Sequence, residues 1–140
     1  MSYDFAHNQS TFNKPSTFGL SPNAAALISY IWIPVTSAVV LVTEKENRFV
    51  RFHAFQSLFM GLTVFVGTLV LAVIIGVLTL VAGAVSSALG IIVSMVSLLI
   101  WMVIAAALLA LWVFCLVKAY RGETFKLPVV GAYAEKMVGK

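Results

Sequence analysis

Charge is what this chain has least of. Asp, Glu, Lys and Arg make up only 10% of its 140 residues, against 61% hydrophobic residues and a mean hydropathy of +1.04. A soluble domain carries roughly a quarter of its residues charged, which keeps its surface in water; a soluble enzyme is therefore excluded. Cysteine is scarcer still: Cys115 is alone and lies in an apolar stretch, so no intramolecular disulfide can form. Residues 1–20 contain no Arg and lack a basic stretch followed by an apolar one, so neither a secretory signal nor a transit peptide is read there. Their Ser, Thr and Asn content predicts a flexible tail over 1–20.

The missing charge is also unevenly distributed. Between Arg51 and Lys118 lie 66 consecutive positions without Asp, Glu, Lys or Arg. A helix rising 1.5 Å per residue crosses the roughly 30 Å hydrocarbon core in about 20 residues. The run therefore holds two long crossings or three short ones, and Pro22 to Val42 offers one more upstream. Ser21 is a suitable N-cap and Pro22 suits the first helical position. Pro34 predicts a kink in this first span: either a hinge or broken helix lining a site, or an ordinary tolerated membrane proline. Thr43 to Arg48 is the charged turn. Gly83 to Gly90, with two Gly and two Ser, is the best break in the long run.

Charge placement chooses the topology. Lys45, Arg48 and Arg51 in the first turn, with Lys118, Arg121, Lys126, Lys136 and Lys140 at the end, are eight of the nine basic residues. Three spans bring both segments to the inner face, as the positive-inside rule requires. The expectation is an all-α integral membrane protein with three transmembrane helices, N-out and C-in, its first span kinked. Residues 21–136 form a single helical domain with spans of about 21–43, 47–82 and 91–118. Residues 122–140 form a cytoplasmic tail, with a short interfacial segment from Val129 to Met137. The basic excess, +4 overall, predicts contact with anionic headgroups on the cytoplasmic face rather than with nucleic acid.

At 100° per residue the second span has two sides. Phe52, Phe55, Leu58, Phe59, Leu62 and Phe65 gather on one, expected to face lipid. His53, Gln56, Ser57, Gly61 and Gly67 gather on the other, and small and polar residues are what pair helices within membranes. His53 could be a metal or pigment ligand or a pH switch. The plainer reading is an interhelical hydrogen bond, since one histidine is too few for a zinc site and His7 lies far away in the tail. The apolar run holds no carboxylate pair and no base-activated nucleophile, so no catalytic residue, cofactor site or metal site is expected, and no enzyme. Coupled transport, which uses ionisable groups or broken helices at the midplane, is disfavoured on the same ground.

Two stretches carry a family likeness. Thr43-Glu44-Lys45-Glu46-Asn47-Arg48-Phe49-Val50-Arg51-Phe52-His53-Ala54-Phe55-Gln56-Ser57 and the closing Gly122-Glu123-Thr124-Phe125-Lys126-Leu127-Pro128-Val129-Val130-Gly131 resemble the signature of small bacterial multi-pass membrane proteins. These are grouped with the MamF-like magnetosome proteins and, distantly, with the Tic20-like component of the chloroplast inner-envelope import machinery. The likeness covers about residues 20–136. It implies that His53, Gln56, Phe125, Pro128 and Gly131 set fold and contact rather than catalysis; Gly122, which opens the closing motif, is read as the C-cap of the third span. The magnetosome branch implies a structural role in a specialised membrane, and the plastid branch a part in a protein-conducting complex.

The functional expectation is a non-enzymatic structural or accessory subunit. It assembles with itself or with other membrane protein subunits, in the bacterial inner membrane or a specialised intracellular membrane. The alternative is a subunit of an oligomeric translocation or other conducting channel.

Overall fold

A computed structural model describes residues 15–139. The tail expected over 1–20 lies, for residues 1–14 and with them His7, outside the described residues. Every regular element among the described residues is a helix: α1 Pro22–Ile28, α2 Val35–Thr43, α3 Arg48–Val85, α4 Ser87–Tyr120 and α5 Val130–Val138. Two of them, α3 with 38 residues and α4 with 34, are long and apolar enough to cross a membrane. The chain divides into two units. One runs to Leu62 and resumes at Val113; the other is Thr63–Trp112.

In the second unit no residue is buried. Half-covered positions recur at Val64, Thr68, Leu71, Ile75, Thr79 and Ala82 on α3, a spacing of three and four that traces one stripe of a helix. The helices are interrupted only at Ser86. The glycines that suggested the break are themselves helical, and they approach closely: a Cβ on Gly90 would stand 2.9 Å from Gly83 Cα. Glycine here permits backbone approach rather than a turn.

The first unit departs from the sequence expectation. Residues 21–43 do not form one kinked helix but two short ones, of 7 and 9 residues. Ser21 caps α1 by accepting from Ala24 N at 3.4 Å, with Pro22 in its first turn. α2 starts after Pro34, whose carbonyl accepts from Ser37 Oγ at 2.7 Å. The six residues between them, 29–34, turn the chain. Both ends of this hairpin come back to the same place, for Thr17 N donates to Glu44 Oε2 at 2.7 Å.

The Phe side of α3 also differs at its charged end. Phe52 is fully buried and packs on Ala134 and Val138 of α5, with Phe55 and Phe59 beside it. Bulk and hydropathy suited this side to lipid equally well. Only the fold of the C-terminal segment shows that α5 covers it.

Candidate functional site

The charged turn is built around a buried acid. Glu44 is 1% exposed, and its carboxylate accepts from the backbone N–H groups of Thr17 (2.7 Å), Asn47 (3.0 Å) and Glu46 (3.2 Å). Burial works to raise its pKa, but these donors outweigh that and hold the carboxyl below its ordinary value. Asn47 then caps α3, its Oδ1 accepting from Phe49 N at 3.1 Å and Val50 N at 3.2 Å. One acid and one amide thus fasten the residue-17 end of the hairpin to the first turn of the long helix.

One and two turns into α3 lies a second cluster. Leu127 N donates to Gln56 Oε1 at 3.3 Å, which fixes that atom as the carbonyl oxygen. Gln56 Nε2 donates to Tyr30 Oη at 3.3 Å, and the Tyr30 hydroxyl pairs with His53 Nδ1 at 3.2 Å. Ser57 Oγ donates to Ser29 O at 2.5 Å, satisfying a carbonyl where α1 ends. Tyr30, His53, Gln56 and Ser57 are all 1% exposed or less. The His53 ring meets Phe49, Phe52 and Tyr30 edge-on, with centroids 4.6, 5.4 and 5.9 Å away. Its other nitrogen, Nε2, is buried against the Glu123 backbone without a well-formed hydrogen bond. Farther along, Gly61 abuts Ile33, whose Cγ2 a Cβ at Gly61 would overlap.

The closing segment supplies the third side. Gly122, at φ +73°, ends α4: its N–H bonds to Ala119 O at 3.1 Å and that of Glu123 to Lys118 O at 3.0 Å, the paired bonds of a Schellman motif. Asn23 of α1 adds a side-chain donor to Tyr120 O at 2.8 Å. Phe125 stands edge-on to Phe114, centroids 4.9 Å apart. Lys118 pairs with Glu123, and this contact holds the exposed Glu123 carboxyl below its usual range. Pro128 O accepts from Val130 N at 2.8 Å across Val129, which sits at φ 68°, ψ −63°: a γ-turn in the sparsely populated left-handed region. At Gly131 a Cβ would lie 2.8 Å from Lys126 Cα, so the closing motif passes over itself where only hydrogen fits.

Of the positions singled out in α3, the structure therefore brings His53, Gln56, Ser57 and Gly61 against the hairpin. Gly67 stands apart, with no atom within 4 Å of a Cβ built on it. Gly122, Phe125, Pro128 and Gly131 shape the strap that carries Leu127 to Gln56, so the two motif stretches, 71 residues apart at this bond, meet. Sequence reasoning missed Tyr30, Asn23, Glu44 and Asn47. Asn47 just ahead of an apolar run is an N-cap signal; Glu44, Tyr30 and Asn23 give none. Among the described residues no three His, Cys, Asp or Glu side chains gather as a metal site would require. What the arrangement does chemically is join three backbone segments through buried hydrogen bonds, those to the Glu44 carboxylate and the neutral ones around Gln56, out of water, where each unmade bond is expensive.

Comparison with known proteins adds the family. The profile of the magnetosome magnetite crystal formation protein family matches residues 18–133. A UPF0132 membrane protein of Archaeoglobus fulgidus is 37% identical over 120 residues, 86% of this chain and 98% of the relative. Another UPF0132 membrane protein, from Methanocaldococcus jannaschii, is 33% identical over 125 residues, 89% of this chain and 96% of the relative. No solved structure matches the chain.

Proposed function

The chain belongs to the magnetosome magnetite crystal formation protein family, and from that premise we propose that it is a non-enzymatic membrane protein with a structural or accessory role. It presents a rigid basic face to the cytoplasm and assembles there with itself or with other membrane protein subunits. The observation that carries this reading is how the polar side chains are used. His53, Gln56, Ser57, Glu44 and Asn47, the groups that could have done chemistry, are buried and bonded to backbone or to Tyr30.

Lys45, Arg48 and Arg51 at the start of α3, and Lys118, Arg121 and Lys126 at and beyond the end of α4, favour the inner face for this end of the helices. There they attract anionic headgroups, each contributing about 1 kcal/mol near the surface. The exposed Tyr133 and Met137 of α5, beside Lys136, suit the headgroup and acyl boundary.

The reading is tested by mild detergent extraction of the full chain, followed by size measurement and identification of what copurifies. A stable oligomer or a defined set of membrane partners supports it. A monodisperse monomer that copurifies with nothing contradicts it. Ion flux through liposomes holding the purified protein would favour a conducting subunit instead.

A further inference from the structure

Residues 15–43 contain no charged side chain, and by composition they are a crossing. The contacts made by this stretch describe a different path. Its beginning is held at the charged turn, where Thr17 N meets Glu44. Asn23 is held to the last carbonyl of α4. Ser29 and Tyr30 are held to Ser57, His53 and Gln56, and Ile33 lies against Gly61. From there α2 returns, and Glu44 is again at the first turn of α3. The segment therefore descends beside α3 from near Asn47 to Gly61 and climbs back to where it began.

That descent can be set against helix length. From Gly61 to the interruption at Ser86, α3 rises about 37 Å at 1.5 Å per residue. That already exceeds the hydrocarbon core of about 30 Å. The crossing by α3 thus needs none of the residues against which the hairpin packs. The side chains at the tip suit a shallow level: Ile31 is 66% and Trp32 69% exposed. Tryptophan is enriched where acyl chains meet headgroups.

We propose that residues 21–43 do not cross the bilayer. They form a hairpin that enters and leaves by the face bearing the basic residues, and its tip, Ile31 and Trp32, inserts among the upper acyl chains of that leaflet. The chain then crosses twice, through α3 and α4. Its N-terminal tail shares the cytoplasmic side with its C-terminus, in place of the three-span, N-out arrangement expected from composition. The partner of the exposed tip is lipid of one leaflet, and this holds whether or not the protein assembles with others.

Single cysteines at Ser10, Ser86 and Lys140 in the full chain test the path, probed with a membrane-impermeant maleimide in sealed vesicles of known orientation. The unsubstituted chain, with buried Cys115, is the blank. Ser10→Cys and Lys140→Cys are expected to label from one face and Ser86→Cys only from the other. Labelling of Ser10→Cys together with Ser86→Cys overturns the proposal. Depth is read separately with Trp32 as sole tryptophan, in a Trp101→Phe, Trp112→Phe background in brominated lipids. Strongest quenching by bromines near the headgroups supports the shallow tip. Strongest quenching from the bilayer centre, or none at any depth, overturns it.

Discussion

Polar side chains behave differently in the two units. In Thr63–Trp112, Thr68, Thr79, Ser94 and Ser97 each donate to a carbonyl one turn back in their own helix, at 2.7–2.8 Å. In the other unit, Ser57, Gln56, Tyr30, Asn23 and Glu44 bond across to segments 23 to 97 residues away in sequence. A hydroxyl that bonds to its own helix needs no neighbour and tells the chain nothing about which neighbour to choose. A buried amide that bonds to a distant backbone N–H strands both groups if the wrong segment is present. Thr63–Trp112 is thus specified by length, hydropathy and a stripe of half-covered positions. The unit around Glu44 and Gln56 is specified bond by bond.

The contrast can be broken most forcefully at glycine. Gly61→Leu drives a side chain into Ile33 and should destabilise the first unit by at least the about 1–3 kcal/mol typical of overpacking. Gly67→Leu meets open space and should be neutral. Equal loss in a thermal or denaturant titration in detergent would erase the distinction. Val129→Gly works in the opposite direction. The substitution relieves a β-branched residue from φ 68°, its side chain is 71% exposed, and the gain should be about 1 kcal/mol, read as a higher melting temperature. An unchanged or lower melting temperature would mean that the turn at Val129 is not strained.

A smaller effect is expected in acid. Because the Glu44 carboxyl is held below its unfolded value, its contribution is present above that value, near 4.5, and fades as pH falls through the folded one. Proteolysis between residues 15 and 47 should therefore rise below about pH 4.5 in the native chain. In Glu44→Gln that rise should be absent, and cleavage already elevated at neutral pH. Smallest of all, Ser94→Ala and Ser97→Ala should shift stability by no more than about 0.5 kcal/mol, as for substitutions away from any special contact. A larger loss would mean that these hydroxyls serve a partner after all.

The same contrast explains what was legible in the sequence. The two long helices could be read from the 66-residue gap in charge, because a bilayer asks only for length and apolarity. Their interruption was placed within the right eight residues, yet it narrows to Ser86 because Gly83 and Gly90 serve close approach instead. The segment 21–43, expected as one kinked helix, folds as two short ones, for a reason that composition does not carry. It too is long and uncharged, and composition has no term for Thr17 meeting Glu44 or for Ile33 meeting Gly61. The positions taken from the helix face, His53, Gln56, Ser57 and Gly61, lie together because a 3.6-residue period places them on one side of α3. Their partners Tyr30 and Leu127 are long-range and leave no periodic trace. The covering of Phe52 by Ala134 and Val138 is equally non-local.

The central claim is that hydrogen bonds between segments, with Gln56 among them, hold the unit around the charged turn together, while the hydroxyls of Thr68, Thr79, Ser94 and Ser97 in α3 and α4 bond within their own helices. Hydrogen–deuterium exchange at the Leu127 amide, compared between the native chain and Gln56→Leu, tests this most directly. The account predicts a protected Leu127 amide in the native chain. In the variant, fast exchange at Leu127 should spread to the hairpin around Tyr30, while the amides of Thr63–Trp112 stay unchanged. Protection at Leu127 that survives the substitution, or a loss of protection that extends evenly through Thr63–Trp112, would contradict it.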